Sequence, residues 1–358
     1  MLLRLKPGLR RVWRDPGTLQ IGISRRRGAV ITGLAPQDVP LVEALRHGVD
    51  PAAPGGLSAY GDPDRGRALV RLLAASGVLT GSRISEAARL GPAAARLTPD
   101  ATVWSAVYPS AGDGWRLLLA RAGALVVIHG AGRLGTTLSA TLAAAGVGTV
   151  VVRDSGRVTA ADLSPAGAGL PDLGRTRQSV GHDVVRRAGG HSERSPARTR
   201  GLADLVVLIE HGSADATRAD RLMSADVPHL AVVVGEDGVV VGPLVRPGRS
   251  PCLRCLDLHR CDRDPQWPMV LAQLHEQSSP EPEESASAGL AAGLAALQVL
   301  AQLDGRVEPA ALGATLEVEL PDGLTARRLW PVHPACGCTW ATPPADEASN
   351  RNPARGAR

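Results

Sequence analysis

The chain has 358 residues, which is enough for two domains or for one large domain with additions. Its 40 basic and 35 acidic side chains leave a mild net charge of +5. Because no dense run of Lys and Arg carries interleaved aromatic residues, we do not expect a nucleic-acid-binding protein. The N-terminal segment is basic and lacks the apolar run of a signal peptide, so we expect a cytoplasmic protein.

Residues 1–80 predict a small module of strands and short helices. Thr18–Ser24 and Ala29–Gly33 have the composition of strands, and the apolar spacing over Pro36–Leu45 and Arg65–Ala75 predicts two helices. This pattern is typical of a winged-helix-like α+β domain, which we interpret as a module that binds a peptide or protein partner. A plain capping subdomain is the alternative. The second helix carries too few basic side chains to favour DNA.

Residues 81–115 predict a polar, alanine-rich linker followed by a hairpin. Val103–Val107 and Trp115–Leu119 are the expected hairpin strands, with a Gly-Asp-Gly turn between them. We expect a nucleotide-binding domain over residues 116–345 and a disordered tail over residues 346–358.

The stretch from 124 to 154 predicts a strand, a glycine turn, a helix and a second strand. The apolar run Leu125–Ile128 leads into a Gly-x-Gly-x-x-Gly turn at Gly130, Gly132 and Gly135. These glycines permit a sharp turn, close approach of the backbone to a phosphate, and packing of the helix on the strand. The helix N-terminus attracts an anion, and Asp154 follows the second strand, where a carboxylate can bond ribose hydroxyls. An ordinary turn that uses glycine for packing alone is the alternative.

Apolar strands continue to alternate with helices after residue 160. The further predicted strands cover 205–209, 230–234, 239–244, 315–319 and 326–329, the last two as an antiparallel pair. This order predicts a doubly wound, mostly parallel, Rossmann-like sheet. The alanine-rich helix Ala286–Leu303 contains glycine and glutamine, so we interpret it as a buried helix and expect no contact with a membrane.

Four cysteines form two close pairs, Cys252 with Cys255 as Cys-x-x-Cys and Cys336 with Cys338 as Cys-x-Cys. Two such pairs can supply four thiolates to Zn²⁺, which would join the last strands to the domain. A redox Cys-x-x-Cys is disfavoured because no helix N-terminus is expected there to lower a thiol pKa. Reduced, metal-free cysteines are the other alternative. The residues left as a spare thiol or as substitute ligands are Cys261, His259 and His333.

Together these features resemble the ThiF/MoeB family of adenylyltransferases, which are related to ubiquitin-activating enzymes. The resemblance covers roughly residues 117–340. It rests on the glycine turn, the Ala-Ala-Gly-Val-Gly that ends at Gly148, Asp154, the Gly-Pro at 242–243, and the His-Pro at 333–334 with both cysteine pairs. It implies a homodimer that binds ATP with Mg²⁺ and adenylates the C-terminal carboxylate of a peptide or ubiquitin-like partner.

The resemblance also implies nucleotide-binding residues, and several depart from the pattern of the family. By count, the asparagine that the family places in the loop after the ribose acid falls on Asp162. The arginine three residues further on falls on Pro165. The lysine that binds the triphosphate falls on Arg177, which keeps the charge with a different reach, and Arg175 lies beside it.

The metal-linked aspartate of the family falls on Ser213. Glu210 and Asp215 are the nearby carboxylates that could replace it. The first function hypothesis is therefore a working adenylyltransferase, in which Arg177, Glu210 and Asp215 are the catalytic residues. The predicted nucleotide-binding residues are Gly130, Gly132, Gly135, Asp154, Asp162 and Arg175.

Two alternatives stay open. The first is a degenerate ThiF-like scaffold that binds a leader peptide through residues 1–80 and presents it to a partner enzyme in peptide natural-product maturation. An exposed strand edge near Thr18–Ser24 would accept that peptide by β-addition. The second is a nicotinamide-dependent oxidoreductase, because the glycine turn is shared, although the zinc pairs and the absence of a catalytic Tyr/Lys or His pattern argue against it.

Overall fold

The computed structural model describes residues 2–24, 27–82, 84–108, 114–192, 203–276 and 283–340. The chain divides into two compact units, Met1–Gly123 and Ala124–Arg358. The boundary therefore falls later than the one expected after residue 115, because a helix of the first unit follows that point. The expected tail over residues 346–358 lies outside the described residues.

The first unit contains two small antiparallel sheets. One pairs β1 (Leu2–Leu5) with β5 (Leu79–Ser82). The other has the order β2-β3-β4, formed by Arg11–Asp15, Thr18–Ser24 and Arg27–Ile31. The helices are α1 (Val39–His47), α2 (Pro63–Ala75), α3 (Ile84–Arg89), α4 (Ala93–Val107) and α5 (Gly114–Ala122), with short 3-10 turns at Pro36–Asp38 and Gly56–Tyr60.

Local sequence explains the elements that the sequence predicted correctly in this unit. Leu19 and Ile21 alternate along β3 and are fully buried, as the period of a strand requires. Helix α2 begins where the Asp62 carboxylate accepts the N–H of Asp64 at 2.9 Å, and Pro63 occupies the first helical position.

Strand β3 is the central strand of its sheet, so the predicted peptide-accepting edge at Thr18–Ser24 is wrong. Its backbone is hydrogen-bonded to β2 on one side and to β4 on the other. Within the described part of the chain, β2 and β4 are the edge strands of this sheet. On the face opposite the core, Val12, Gln20 and Val30 lie side by side, and Val12 is 46% exposed.

The predicted hairpin strands are wrong, because Val103–Val107 lies in α4 and Trp115–Leu119 lies in α5. The segment expected to be a linker, with a short helix at most, contains the end of β5, all of α3 and the start of α4. Leu97, Ala101 and Leu118 are buried together between α4 and α5. Gly114 lets the helices meet closely, since a Cβ there would lie 2.1 Å from the carbonyl oxygen of Ala101. The apolar residues that suggested alternating strands therefore form the packed contact between two helices. The expected turn residues 112 and 113 lie outside the described range.

The second unit is built on a seven-stranded sheet with the order β12-β11-β10-β9-β8-β6-β7. Strands β7, β6, β8 and β9 are parallel neighbours, and β10, β11 and β12 extend them in antiparallel fashion. The strands are β6 (Leu125–His129), β7 (Thr149–Arg153), β8 (Leu205–His211), β9 (His229–Val234), β10 (Gly238–Val245), β11 (Ala314–Glu319) and β12 (Thr325–Leu329). The predicted α/β sheet with an antiparallel portion is confirmed.

Six helices of the described residues surround this sheet. They are α6 (Arg133–Ala144), α7 (Arg177–Arg187), α8 (Ala216–Ser224), α9 (Leu253–Arg263), α10 (Trp267–Glu276) and α11 (Ser285–Asp304), with 3-10 turns at Ala160–Asp162 and Leu170–Asp172. By length and composition α11 could cross a membrane, but half of its apolar window is buried inside the protein. Its alanines belong to the same core cluster as α6 and the central strands, which explains its composition.

The register of the parallel strands brings three strand ends to one edge of the sheet. His129 at the end of β6 pairs with Arg153 of β7 on one side and with Leu208 of β8 on the other. The loops that follow these strands therefore meet beside the glycine turn. In an open α/β sheet this is the edge at which ligands bind.

Candidate functional site

The glycine turn joins β6 to α6 by the close packing that its spacing predicts. Gly130 has a φ of +99°, which L-residues with side chains rarely adopt. A Cβ on Gly135 would lie 2.0 Å from the carbonyl oxygen of Gly130, so the helix can start here only if this position lacks a side chain. Helix α6 begins at Arg133, with its first N–H groups facing the end of the sheet.

The carboxylate of Asp154 lies directly against this turn. One oxygen accepts the N–H of Ala131 at 2.7 Å, and the other accepts the N–H of Gly156 at 2.7 Å. Each carboxylate oxygen can accept a further bond, so the group can also receive ribose hydroxyls. The structure thus brings the predicted ribose acid and the predicted glycines together.

A cavity of about 530 Å³ opens over the turn, within the volume range of small-molecule sites. Its lining includes the side chains of Arg153, Asp154, Arg177 and Arg218 together with the glycine turn. With His129 uncounted, three arginines and two carboxylates, Asp154 and Glu283, line the cavity, and this balance suits an anionic ligand.

His129 belongs to the same lining and was missed in the sequence. Burial, and then the charges of Arg218 and Arg153, lower its pKa from 6.5 to about 4. The imidazole is therefore neutral at pH 7. The only sequence signal for this residue is its place immediately before Gly130.

The depressed pKa of His129 predicts an acid-sensitive step in stability. Below pH 6.5 the unfolded chain takes up a proton that the folded imidazole takes up only near pH 4, so stability falls across that window. We expect the loss to reach roughly 3 kcal/mol at the acid end. Urea unfolding of the wild type and of His129→Asn, at about pH 7.5 and about pH 4, measures it. The variant should lose less stability on acidification, and equal losses would contradict the assignment.

The structure brings Arg177 and Asp162 together, but as partners of each other. Their side chains form an ion pair at 2.8 Å, and both are largely buried. Asp162 also accepts the N–H of Thr159 at 2.7 Å and thereby closes its own 3-10 turn. Arg177 lines the cavity, whereas Asp162 is not among its lining residues. Asp162 therefore positions the cation that faces the ligand space.

Arg175 is held away from the cavity lining by an ion-pair network. Its guanidinium contacts the carboxylates of Asp172 and Asp183, each at 2.6 Å. The hydrogen bond from Arg175 is the largest influence that lowers the pKa of Asp183. In this arrangement Arg175 fixes the start of α7 to the preceding loop.

Glu210 and Asp215 are hydrogen-bonded to each other, and neither is among the residues that line the cavity. The backbone N–H of Asp215 donates to Glu210 Oε2 at 2.6 Å, and the Asp215 carboxylate caps α8 through the N–H of Thr217 at 2.9 Å. Arg218 contacts the Asp215 carboxylate at 3.3 Å. Of these residues, Arg218 is the one that lines the cavity.

A further carboxylate at the glycine turn was not anticipated. Glu283 is 6% exposed, and its Oε2 accepts the N–H of Leu134 in α6 at 2.8 Å. Its Oε1 lies 3.0 Å from Nε2 of His211. No local sequence pattern predicts this contact, because Glu283 is far from α6 in the chain and only the fold brings the two together.

The four predicted cysteines converge in the second unit. The Sγ–Sγ distances are 4.0 Å for Cys252–Cys255, 3.5 Å for Cys252–Cys336 and 3.4 Å for Cys255–Cys338, and all four sulfurs lie within 4.8 Å of one another. A tetrahedral zinc site with Zn–S bonds of about 2.3 Å needs sulfurs about 3.8 Å apart. The cluster therefore fits a four-thiolate zinc ion.

The argument against a redox pair was wrong in one respect, because Cys252 caps α9 and Cys255 lies in its first turn. The cluster of four sulfurs is what favours a metal instead. Burial and the neighbouring cysteines raise the pKa of Cys336 and raise that of Cys338 to about 12. The raised pKa values mean that ionising these thiols costs free energy. A bound cation would offset that cost, since thiolates are the form that zinc binds.

The substitute ligands are not needed for this cluster. His333 donates its backbone N–H to Cys255 Sγ at 3.4 Å, and its ring bonds Asp262 and the N–H of Ala335. His259 contacts the carbonyl oxygen of Pro331 at 3.1 Å. Cys261 lies outside the four-sulfur group.

Sequence comparison finds no matching family model and no matching curated protein. Structural comparison does find neighbours. The structure of E. coli MccB with ATP gives a TM-score of 0.67 at 16% identity and covers 95% of this chain and 100% of that one. The chain has the MccB fold. This result confirms the predicted ThiF/MoeB-like fold.

Two further structures extend this likeness. The microcin C7 biosynthetic enzyme MccB in complex with N-formylated MccA gives a TM-score of 0.68 at 17% identity, covering 94% of this chain and 99% of that chain. The structure of selenomethionine PaaA gives a TM-score of 0.57 at 18% identity, and the match covers 73% of this chain and 91% of PaaA. MccB therefore matches this chain over nearly the full length of both proteins, and PaaA over a smaller share.

Proposed function

We propose that this protein binds ATP in the cavity over the glycine turn and adenylates the C-terminal carboxylate of a peptide. The observation that carries the proposal is the cationic cavity at the turn in a chain that has the MccB fold from end to end. MccB binds ATP in one neighbouring structure and N-formylated MccA in another. These neighbours favour a peptide over a ubiquitin-like protein as the partner.

Different residues of the cavity bind the ribose and the phosphates of the nucleotide. Asp154 receives the ribose hydroxyls, and the glycine turn allows the backbone to approach the phosphates. Arg153, Arg177 and Arg218 face the negative charge. In the reaction, a peptide carboxylate oxygen bonds to the α-phosphorus while the bond to the pyrophosphate oxygen breaks. The arginines stabilise the charge that passes to pyrophosphate.

We further propose Mg²⁺ with the nucleotide, a zinc ion in the cysteine cluster, a homodimer and a cytoplasmic location. Mg²⁺ supplies charge neutralisation at the phosphate oxygens. Glu210 and Asp215 are the carboxylates that could bind it near the cavity. The zinc ion would stabilise the link between α9 and the segment that carries Cys336 and Cys338, with no part in the chemistry.

The second candidate is a scaffold that binds a leader peptide without activating it. The observation that favours it is the engagement of Arg177 by Asp162, which takes part of the charge of the residue expected at the triphosphate. In this case the peptide would add to β2 or β4, the edge strands of the three-stranded sheet. The oxidoreductase alternative gains no support from the MccB fold.

Calorimetry with ATP and Mg²⁺ tests the proposal, with Asp154→Ala as the loss-of-function variant. Removing a charged hydrogen-bond acceptor for two ribose hydroxyls should weaken binding roughly tenfold to hundredfold. Asp220→Ala removes an exposed carboxylate on α8 and is the matched control. Peptide-dependent exchange of pyrophosphate into ATP would then establish adenylation. Absence of ATP binding at millimolar concentration, together with peptide binding to the intact chain, would support the scaffold instead.

A further inference from the structure

One buried carboxylate of the cavity has no part in the proposed reaction. Glu283 lies at the N-terminus of α6, with Oε2 bonded to the N–H of Leu134 at 2.8 Å. A Cβ on Gly132 would lie 2.7 Å from both of its carboxylate oxygens, so the group is seated directly on the glycine turn. The side chain of Glu283 is thus in contact with the backbone where phosphate is expected.

A carboxylate at this place resembles the ligand that the site is expected to take. The unpaired N–H groups and partial positive charge of a helix N-terminus attract phosphate and carboxylate alike. Glu283 supplies both the negative charge and the acceptor oxygen for Leu134. A phosphate that used the same N–H group would meet a negative charge within hydrogen-bond distance.

Glu283 also lines a second cavity of about 310 Å³, together with Arg133, Gly235 and Glu236. Nη1 of Arg133 donates to the backbone oxygen of Glu283 at 3.0 Å and to Ser285 at 3.1 Å. Nε of Arg133 is buried and has no partner among the described residues. Next to Gly132, Arg133 therefore holds an unused donor that a displaced Glu283 carboxylate can reach for.

We propose that Glu283 is an internal competitor of phosphate, which occupies the N-terminus of α6 in the free protein and leaves it when a nucleotide binds. The inference rests on the proposed function, since it concerns the same cavity. Glu283 thereby sets how strongly this site discriminates a nucleotide from a nucleoside. Adenosine does not require its displacement, whereas ATP does.

The test compares ATP and adenosine binding to the full-length wild type and to Glu283→Gln by calorimetry. Glutamine keeps the size and the acceptor for Leu134 but removes the charge. We expect the affinity for ATP to rise at least about tenfold, and the affinity for adenosine to stay unchanged. Glu236→Gln is the matched control, because it removes an exposed charge from the second cavity without touching α6, and it should change neither affinity.

The outcomes distinguish a failure of the inference about Glu283 from a failure of the proposed function. Equal or weaker ATP binding by Glu283→Gln, with a wild type that binds ATP, overturns the inference and leaves the proposed function standing. Failure of both proteins to bind ATP overturns the proposed function and the inference with it. If Glu283→Gln does not fold, Glu283→Asp takes its place, since the shorter side chain withdraws the carboxylate from Leu134 and should also raise ATP affinity selectively.

Discussion

Replacing Cys255 with serine is expected to abolish binding of the proposed zinc ion and to lower the midpoint of thermal unfolding by about 10 °C or more. Cys255 is completely buried, and its sulfur lies close to those of Cys252 and Cys338. Serine binds zinc poorly, and the three remaining thiols would lose the cation that permits their ionisation. Zinc content by elemental analysis and unfolding with and without a chelator measure the effect.

The same helix offers a matched control for this prediction. Cys261→Ser makes the identical chemical change six residues further along α9, at a thiol outside the four-sulfur group. This variant should keep one zinc ion per chain and unfold near the wild-type temperature. If Cys255→Ser also kept its zinc and its stability, the cluster would be a set of packed, reduced thiols.

A second large effect is expected for Gly135→Ala, which should destabilise the second unit by about 3 kcal/mol or more. The added methyl group would lie 2.0 Å from the carbonyl oxygen of Gly130 and 3.3 Å from Cδ1 of Ile209. The first neighbour is backbone in the glycine turn, so relief requires α6 to move away from β6. Urea unfolding monitors the loss of stability, and ATP binding should weaken with it.

Gly289→Ala is the control for Gly135→Ala because it changes a helical glycine with open space around it. Nothing lies within 4 Å of a Cβ built at Gly289 in α11. Alanine is the better helix former, so this variant should be more stable than the wild type by about 0.5–1 kcal/mol. If the two variants shifted stability in the same direction, close packing at the glycine turn could not be the cause.

The elements that sequence alone predicted are those in which a local pattern has one physical solution. The apolar run before Gly130, the spacing of the three glycines and the acid at Asp154 together allow only a strand, a turn and a helix beside a second strand. The two cysteine pairs likewise have the spacing of a metal site, and the structure brings them together. The glycine turn and the spacing within each cysteine pair are read directly from residue type and interval. The contacts between the pairs, Cys252–Cys336 and Cys255–Cys338, span 84 and 83 residues and depend on the fold.

The predictions that were wrong concern patterns with two solutions. Val103–Val107 and Trp115–Leu119 fit short strands as well as helices, and only the packing of α4 against α5 decided between them. Thr18–Ser24 is a strand in either case. Whether it lies at an edge depends on pairing with both β2 and β4, which a strand's own composition does not encode.

The sequence by itself determined the sheet type, the glycine turn, the place of Asp154 after the second strand and the two cysteine pairs, because neighbours along the chain define each of them. Only the tertiary structure decided that Arg177 is paired with Asp162, that His129 is held neutral by burial and nearby arginines, and that Glu283 lies on α6. These last features depend on charges brought together from distant segments. Coulombic and hydrogen-bond partners of that kind are set by distance in space, for which separation in sequence is no guide.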